Sequence, residues 1–226
     1  TAASPLHDKA VRNAVAHIIN YDSMAKIIGN GSTPGAAPFP PSANLGYDTI
    51  ANKATTDVAK ADQILTQAGY AKNANGVYAK DGKELSLTLA VWGKDTSMYE
   101  EIQQELKQAG INVTLKKLQS PDEVDTLGTD GFDLVERNVI TMSTNDPYWF
   151  LSLFYKSGAK ANVGAYSNPQ VDALIDQLSV TFDQNERSNI AKQAQQLLVD
   201  DVADIYLLYP SATVVSTTKV KNVPVH

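Results

Sequence analysis

The sequence predicts an α/β fold, a mixed sheet flanked by helices, on three observations. Strand-like runs alternate along the chain with segments whose apolar residues recur at helical spacing. Glycines stand just beyond several of those segments, where a helix must stop. An Asp81-Gly82 pair sits between two strand-like runs, a strong short-range hairpin signal.

From His7 to Asn20 the spacing places Val11, Ala14, Val15, Ile18 and Ile19 on one face of a helix, with Lys9, Arg12 and Asn13 opposite. His17 then reads as a residue at the helix surface. "YDSMAKIIGNG" reads as a short second helix, with Asp22 near its start and Gly29 and Gly31 beyond its end. "STPGAAPFPPSANLGYD" has no periodicity and many prolines, so an extended surface segment is expected.

"TTDVAKADQILTQAGY" is a third helix capped by Thr56 or Asp57 and stopped by Gly69, with Val58, Ala61, Ile64, Leu65 and Ala68 as its stripe. The Asp81-Gly82 hairpin follows, and its second arm leads into a helix ended by Gly110. Next come a strand at "INVTLKKL", a short helix in "SPDEVDTLG" and a strand at "GFDLVE". "NDPYWF" opens a further helix, and two more follow, one started by Ser167 or Asn168 and one by Asp183. "ADIYLLY" and "ATVVST" read as closing strands.

Composition narrows the function. The formal net charge is -6 and no Lys/Arg cluster occurs, which disfavours a nucleic-acid role. With no cysteine, thiol catalysis, disulfides and thiolate metal sites are excluded. The longest apolar runs, such as "LSLTLAVW", fall far short of the roughly 20 residues that span a bilayer. The chain starts at Thr1 without an initiator Met or a leader, which sets the expectation of a processed or excised piece.

No catalytic constellation emerges. His7 and His17 lie ten positions apart on one helix, too far along its axis to share an ion, and His226 is terminal. "GNGSTPG" follows a helix rather than a strand, so it is a turn and not a phosphate cradle. There is no G-x-S-x-G elbow. The adjacent acids Glu100-Glu101 and Asp200-Asp201 point in different directions on helices and read as solvated faces. What stays unexplained is "GFDLVERNVITMSTNDPYWFLSLFYKSG", a polar loop between a strand and a helix, together with Trp92 at the end of another strand. In open α/β sheets, ligand contacts collect beyond the carboxyl ends of strands.

Taken in order, "PLHDKAVRNAVAHIINYDSMAKII", "PFPPSANLGYD", "VAKADQILTQAGY", "DGKELSLTL", "IQQELKQAGINVTLKKL", "GFDL", "NDPYWFLSLFYKSGAKANVGAYSNPQVDALID" and "LLVDDVADIYLLY" resemble the C-terminal half of the family 5 extracellular solute-binding proteins. The resemblance covers nearly the whole chain. It implies a periplasmic-binding-protein-like lobe II of the class-C type: residues 1–226 as a single lobe-II-like domain, most of lobe I missing, the last residues heading back toward lobe I. It also implies the substrate-binding role in an ABC importer, outside the membrane at the cell surface or in the periplasm, as a monomer that performs no catalysis and needs no cofactor. Its partners would be a small solute (oligopeptide, nickel or a nickel chelate) and the ABC permease subunits, with membrane contact only through a lipid anchor upstream of Thr1.

Under that resemblance the polar loop is one lip of the ligand cleft. Peptide-binding members carry an Asp three residues before the acid-Pro pair; here Asp146-Pro147 puts Ser143 there, which disfavours ordinary oligopeptide recognition. Nickel-binding relatives often place aromatics in this loop and a histidine after it, and neither is present, although "PSANLGYD" and "VVSTTKVKNVP" look more like the nickel branch. The expected ligand-facing residues are Arg137, Asn138, Met142, Ser143 and Asn145, with Trp92 and Trp149 as further candidates. Against these stand simpler roles: a surface ion pair for Arg137, core filling for Met142, and core packing for Trp149. The competing functions are an interaction or signalling module using the same surface, and a hydrolase using Glu136 or Asp146.

Overall fold

A computed structural model describes residues 4–124, 131–142 and 146–211. Helix α1 (Lys9–Ile18) starts at Asp8, whose carboxylate accepts from the Ala10 amide. The expected face of α1 is fully buried, from Val11 to Ile19. His17 departs from its expected surface place: it is 3% exposed, and its Nδ1 lies 2.6 Å from the Thr55 carbonyl oxygen. That bond satisfies a buried ring which would otherwise be costly. Helix α2 (Tyr21–Ile28) is capped by Asn20 and ends at Gly29, where φ is 68°.

The Pro-rich stretch lies on the surface only in part: Thr33, Pro34, Pro41, Ser42 and Asn44 are exposed, but its middle runs inside. Strand β1 (Thr33–Pro34) pairs antiparallel with β8 (Leu208–Tyr209) near the far end of the chain. Ala37 and Phe39 beyond it are buried. Prolines without N–H groups can cross a core if the remaining amides find partners. Fully buried Gln195 provides two of those bonds, accepting from the Phe39 amide at 3.3 Å and donating to the Leu45 carbonyl at 2.8 Å.

Helix α3 (Val58–Gln67) is capped by Asp57 and precedes a meander of β2 (Ala71–Lys72), β3 (Tyr78–Lys80) and β4 (Lys83–Glu84). Within it the Asp81-Gly82 turn joins β3 to β4 as expected, with both residues at positive φ. Strand β5 (Ser86–Val91) leads through α4 (Ser97–Ala109) to β6 (Asn112–Lys117), and β7 (Leu134–Val135) joins the other edge of β5.

The order β6-β5-β7 is wholly parallel. Parallel and antiparallel pairing therefore fall into separate small ladders, linked at Leu85. Its amide donates to Tyr78 and its carbonyl accepts from Asn112. On β5, Leu87, Leu89 and Val91 pack toward the cluster built with α1, α3 and α4, while Ala90 faces Leu118 and Val124 on the other side.

Helices α5 (Pro147–Phe154), α6 (Pro169–Val180) and α7 (Gln184–Asp200) form a second cluster with Phe39 and Leu45. Asp146, Asn168 and Asp183 cap them. Arg12 ties this body to α1, donating to the carbonyls of Asp201 at 2.7 Å and Val202 at 3.0 Å. A cation there suits the negative end of the α7 dipole. It also holds Val202 at φ 49°, a left-handed conformation that costs a β-branched residue about 1–2 kcal/mol. The final part of the short helix expected in "SPDEVDTLG" and the strand at "ATVVST" lie outside the described residues.

Candidate functional site

A groove of about 1270 Å³ runs between the two bodies. One wall is the segment leaving the carboxyl end of β7, residues 136–142; the opposing one includes Asp204 and Tyr206, in the run between α7 and β8. This matches the rule that ligand contacts lie beyond strand carboxyl ends.

Arg137, Asn138 and Met142 all line the groove. Arg137 is exposed; its guanidinium stacks 5.1 Å from the Phe154 ring centroid and donates to the Ala161 carbonyl. That carbonyl is presented by a loop folded around Asn162, whose side chain bonds the Lys156 and Tyr166 carbonyls and the Tyr166 amide. Among the described residues no carboxylate lies within ion-pair distance of Arg137. Met142 also touches the helical cluster, so it serves packing and groove together.

Trp92 is half-buried against the Ala90–Leu118–Val124 cluster, and Trp149 is 36% exposed with its ring edge-on to Phe154 at 6.1 Å; both stand outside the groove lining. Ser143 and Asn145 lie outside the described residues.

Among the acids that line the groove are Glu136, Asp201 and Asp204, of which Asp204 is the one that pattern reading missed. Glu136 accepts from the Tyr99 hydroxyl at 3.1 Å, and burial pushes its pKa up against that bond. Asp204 accepts from the buried Tyr155 hydroxyl at 2.5 Å, and Tyr206 lies 3.4 Å from the same hydroxyl. Solvent reaches Asp204 along the groove although protein surrounds it, and this enclosure raises its pKa against the opposing pull of Tyr155 and Arg137. Asp201 is no solvated acid either: it accepts from Tyr166 and Asn168, at 2.7 and 2.8 Å. Asp204 stands in "ADIYLLY", expected as a closing strand, and only the fold brings it into the groove near Arg137.

Two acids that a hydrolase would need are otherwise engaged. Asp146 caps α5 and is gripped by Arg187, while Glu136 is held by Tyr99. Among the described residues, no three His, Asp or Glu side chains are grouped to hold a metal ion. No helix there is long and apolar enough to cross a membrane.

The family model for bacterial extracellular solute-binding proteins, family 5 (Middle), matches residues 1–162. The chain belongs to this family. The nickel-binding protein NikA of Staphylococcus aureus is 30% identical over 221 residues, covering 95% of this chain and 42% of the relative. The probable D,D-dipeptide-binding periplasmic protein DdpA of Escherichia coli is 28% identical over 226 residues, covering 97% of this chain and 41% of the relative. The chain thus spans about two fifths of the length of these family members. In three dimensions it superposes on Staphylococcus aureus NikA in complex with Ni(L-His)2 with a TM-score of 0.73 at 26% identity, covering 88% of this chain and 41% of that one.

Proposed function

We propose that this chain forms one lobe of the substrate-binding component of an ABC importer, which captures a small solute outside the membrane and delivers it to the permease. The observation that carries this reading is the groove between the two packed bodies, with Arg137, Asn138 and Met142 on the wall that leaves β7. In this proposal residues 1–226 are the lobe-II-like part of a monomeric two-lobed protein, and Ser143 and Asn145 also serve the solute.

The solute is an oligopeptide, nickel or a nickel chelate, the classes that the names of the relatives suggest. Nickel fits best as a chelate, because the described residues offer no grouped set of metal donors and Arg137 is placed to bind an organic ligand's carboxylate. No catalytic step is assigned.

The test is a calorimetric screen of the complete two-lobed protein against peptides, free nickel and nickel chelates. At least one of these binds if the reading is right; none binds if it is wrong. The isolated chain binds the same solute far more weakly, since two-sided enclosure supplies most of a ligand's burial.

A further inference from the structure

The charges of the groove do not balance. Among the described residues its lining holds the carboxylates of Asp133, Glu136, Asp201 and Asp204 against the guanidiniums of Arg12 and Arg137. Arg12 is occupied by four backbone carbonyls, those of Leu6, His7, Asp201 and Val202. Asp133 is occupied too, accepting from the Ser4 hydroxyl at 2.6 Å and the Thr88 amide at 2.8 Å. Asp201 has the Tyr166, Asn168 and Lys9 partners.

Asp204 differs from those two, holding a single hydrogen bond among the described residues. Glu136 likewise has only the Tyr99 bond among the described residues, but it is half-buried, whereas Asp204 is exposed. Its Oδ2 takes the Tyr155 hydroxyl, and among the described residues its Oδ1 has no hydrogen-bond donor and no cation lies within ion-pair distance. It nevertheless opens onto the groove. A carboxylate held by one buried tyrosine and left open on its other oxygen is oriented to receive a donor from outside the protein.

We propose that Asp204, oriented by Tyr155, is the subsite that receives an N–H donor of the solute, an ammonium or the metal-polarised amine of a chelate. This deepens the solute-binding reading and rests on it. The solute class that follows carries an amine N–H for Asp204 and a carboxylate for Arg137, as amino acids, peptides and amino-acid metal chelates do. The acid missing at position 143 is then supplied from another part of the chain.

The test uses the complete protein and titrates triglycine, N-acetyl-triglycine, the nickel–histidine chelate and nickel citrate into wild type, Asp204→Asn and Tyr155→Phe. Of these, the tightest binder to wild type carries an amine. Asp204→Asn weakens that binder roughly ten- to hundredfold, the size of one charge-assisted bond. Binding of an amine-free probe changes less than threefold, and Tyr155→Phe weakens the amine-bearing solute by less than Asp204→Asn does. Equal affinity of wild type and a folded Asp204→Asn for the amine-bearing solute overturns the subsite while leaving solute binding intact, as does an amine-free tightest binder. Binding of none of the four by wild type overturns the underlying reading and the subsite together.

Discussion

Arg187 of α7 clamps Asp146 at the start of α5 with Nη2 at 2.7 and 2.5 Å from the two carboxylate oxygens and Nε at 3.1 Å from one of them. The Arg187 side chain is only 12% exposed, and its Nη1 also donates to the Leu178 and Thr181 carbonyls at the end of α6. One side chain thus fastens three helices behind the groove wall. Replacing Arg187 with Gln leaves these acceptors without their cation and lowers stability by about 2–4 kcal/mol, measured by urea unfolding. A change below about 0.5 kcal/mol would show the pair to be an ordinary surface contact.

Gln195→Leu keeps the buried volume but strips the Phe39 amide and the Leu45 carbonyl of their partner. Two unsatisfied buried groups cost about 2–4 kcal/mol together. Amide exchange should also quicken around Phe39 before it does in α4, since the loss is local to the Pro-rich segment.

Gly35 has no room for a side chain. A Cβ there would meet the Tyr206 carbonyl oxygen at 2.4 Å and the Leu208 amide nitrogen at 2.8 Å, both backbone atoms that cannot swing aside. Gly35→Ala therefore spreads the β1–β8 pairing and costs about 1–3 kcal/mol, read from the melting transition. Because Tyr206 and Asp204 ride on the displaced run, solute affinity falls with it.

Asp204 opposes folding at neutral pH. Its pKa is raised in the folded protein by enclosure, with Tyr155, Tyr206 and Arg137 facing it, so the folded state binds the proton more readily than the unfolded chain. Stability contributed by this group is then fully present only below the unfolded aspartate pKa and is lost as pH rises through the folded one. Asp204→Asn is accordingly more stable than wild type at pH 7, and the gap closes in acid. Melting curves from pH 3 to 8 check this; a gap that widens toward acid contradicts the sign.

How legible the molecule was depended on the range of the forces involved. Helices α1, α3, α4, α6 and α7 follow from periodicity and caps, because Asp57, Asn168, Asp183 and Gly110 act within one turn of themselves. The burial of residues such as Phe39 is not legible locally, because the partner of its amide is Gln195, 156 positions away. The same holds for His17, whose partner Thr55 lies 38 residues on. At the site, Arg137 was readable as the end of a strand. Asp204 is not, since nothing in "ADIYLLY" separates an acid on a strand face from one that opens into a groove.

Hydrogen–deuterium exchange on the complete protein, with and without the solute found by calorimetry, tests the central claim most directly. The account predicts that solute slows exchange in residues 136–142 and 203–209, the two walls of the groove, and that Arg137→Ala removes the effect. Protection confined to other segments, with these two unchanged, would contradict it.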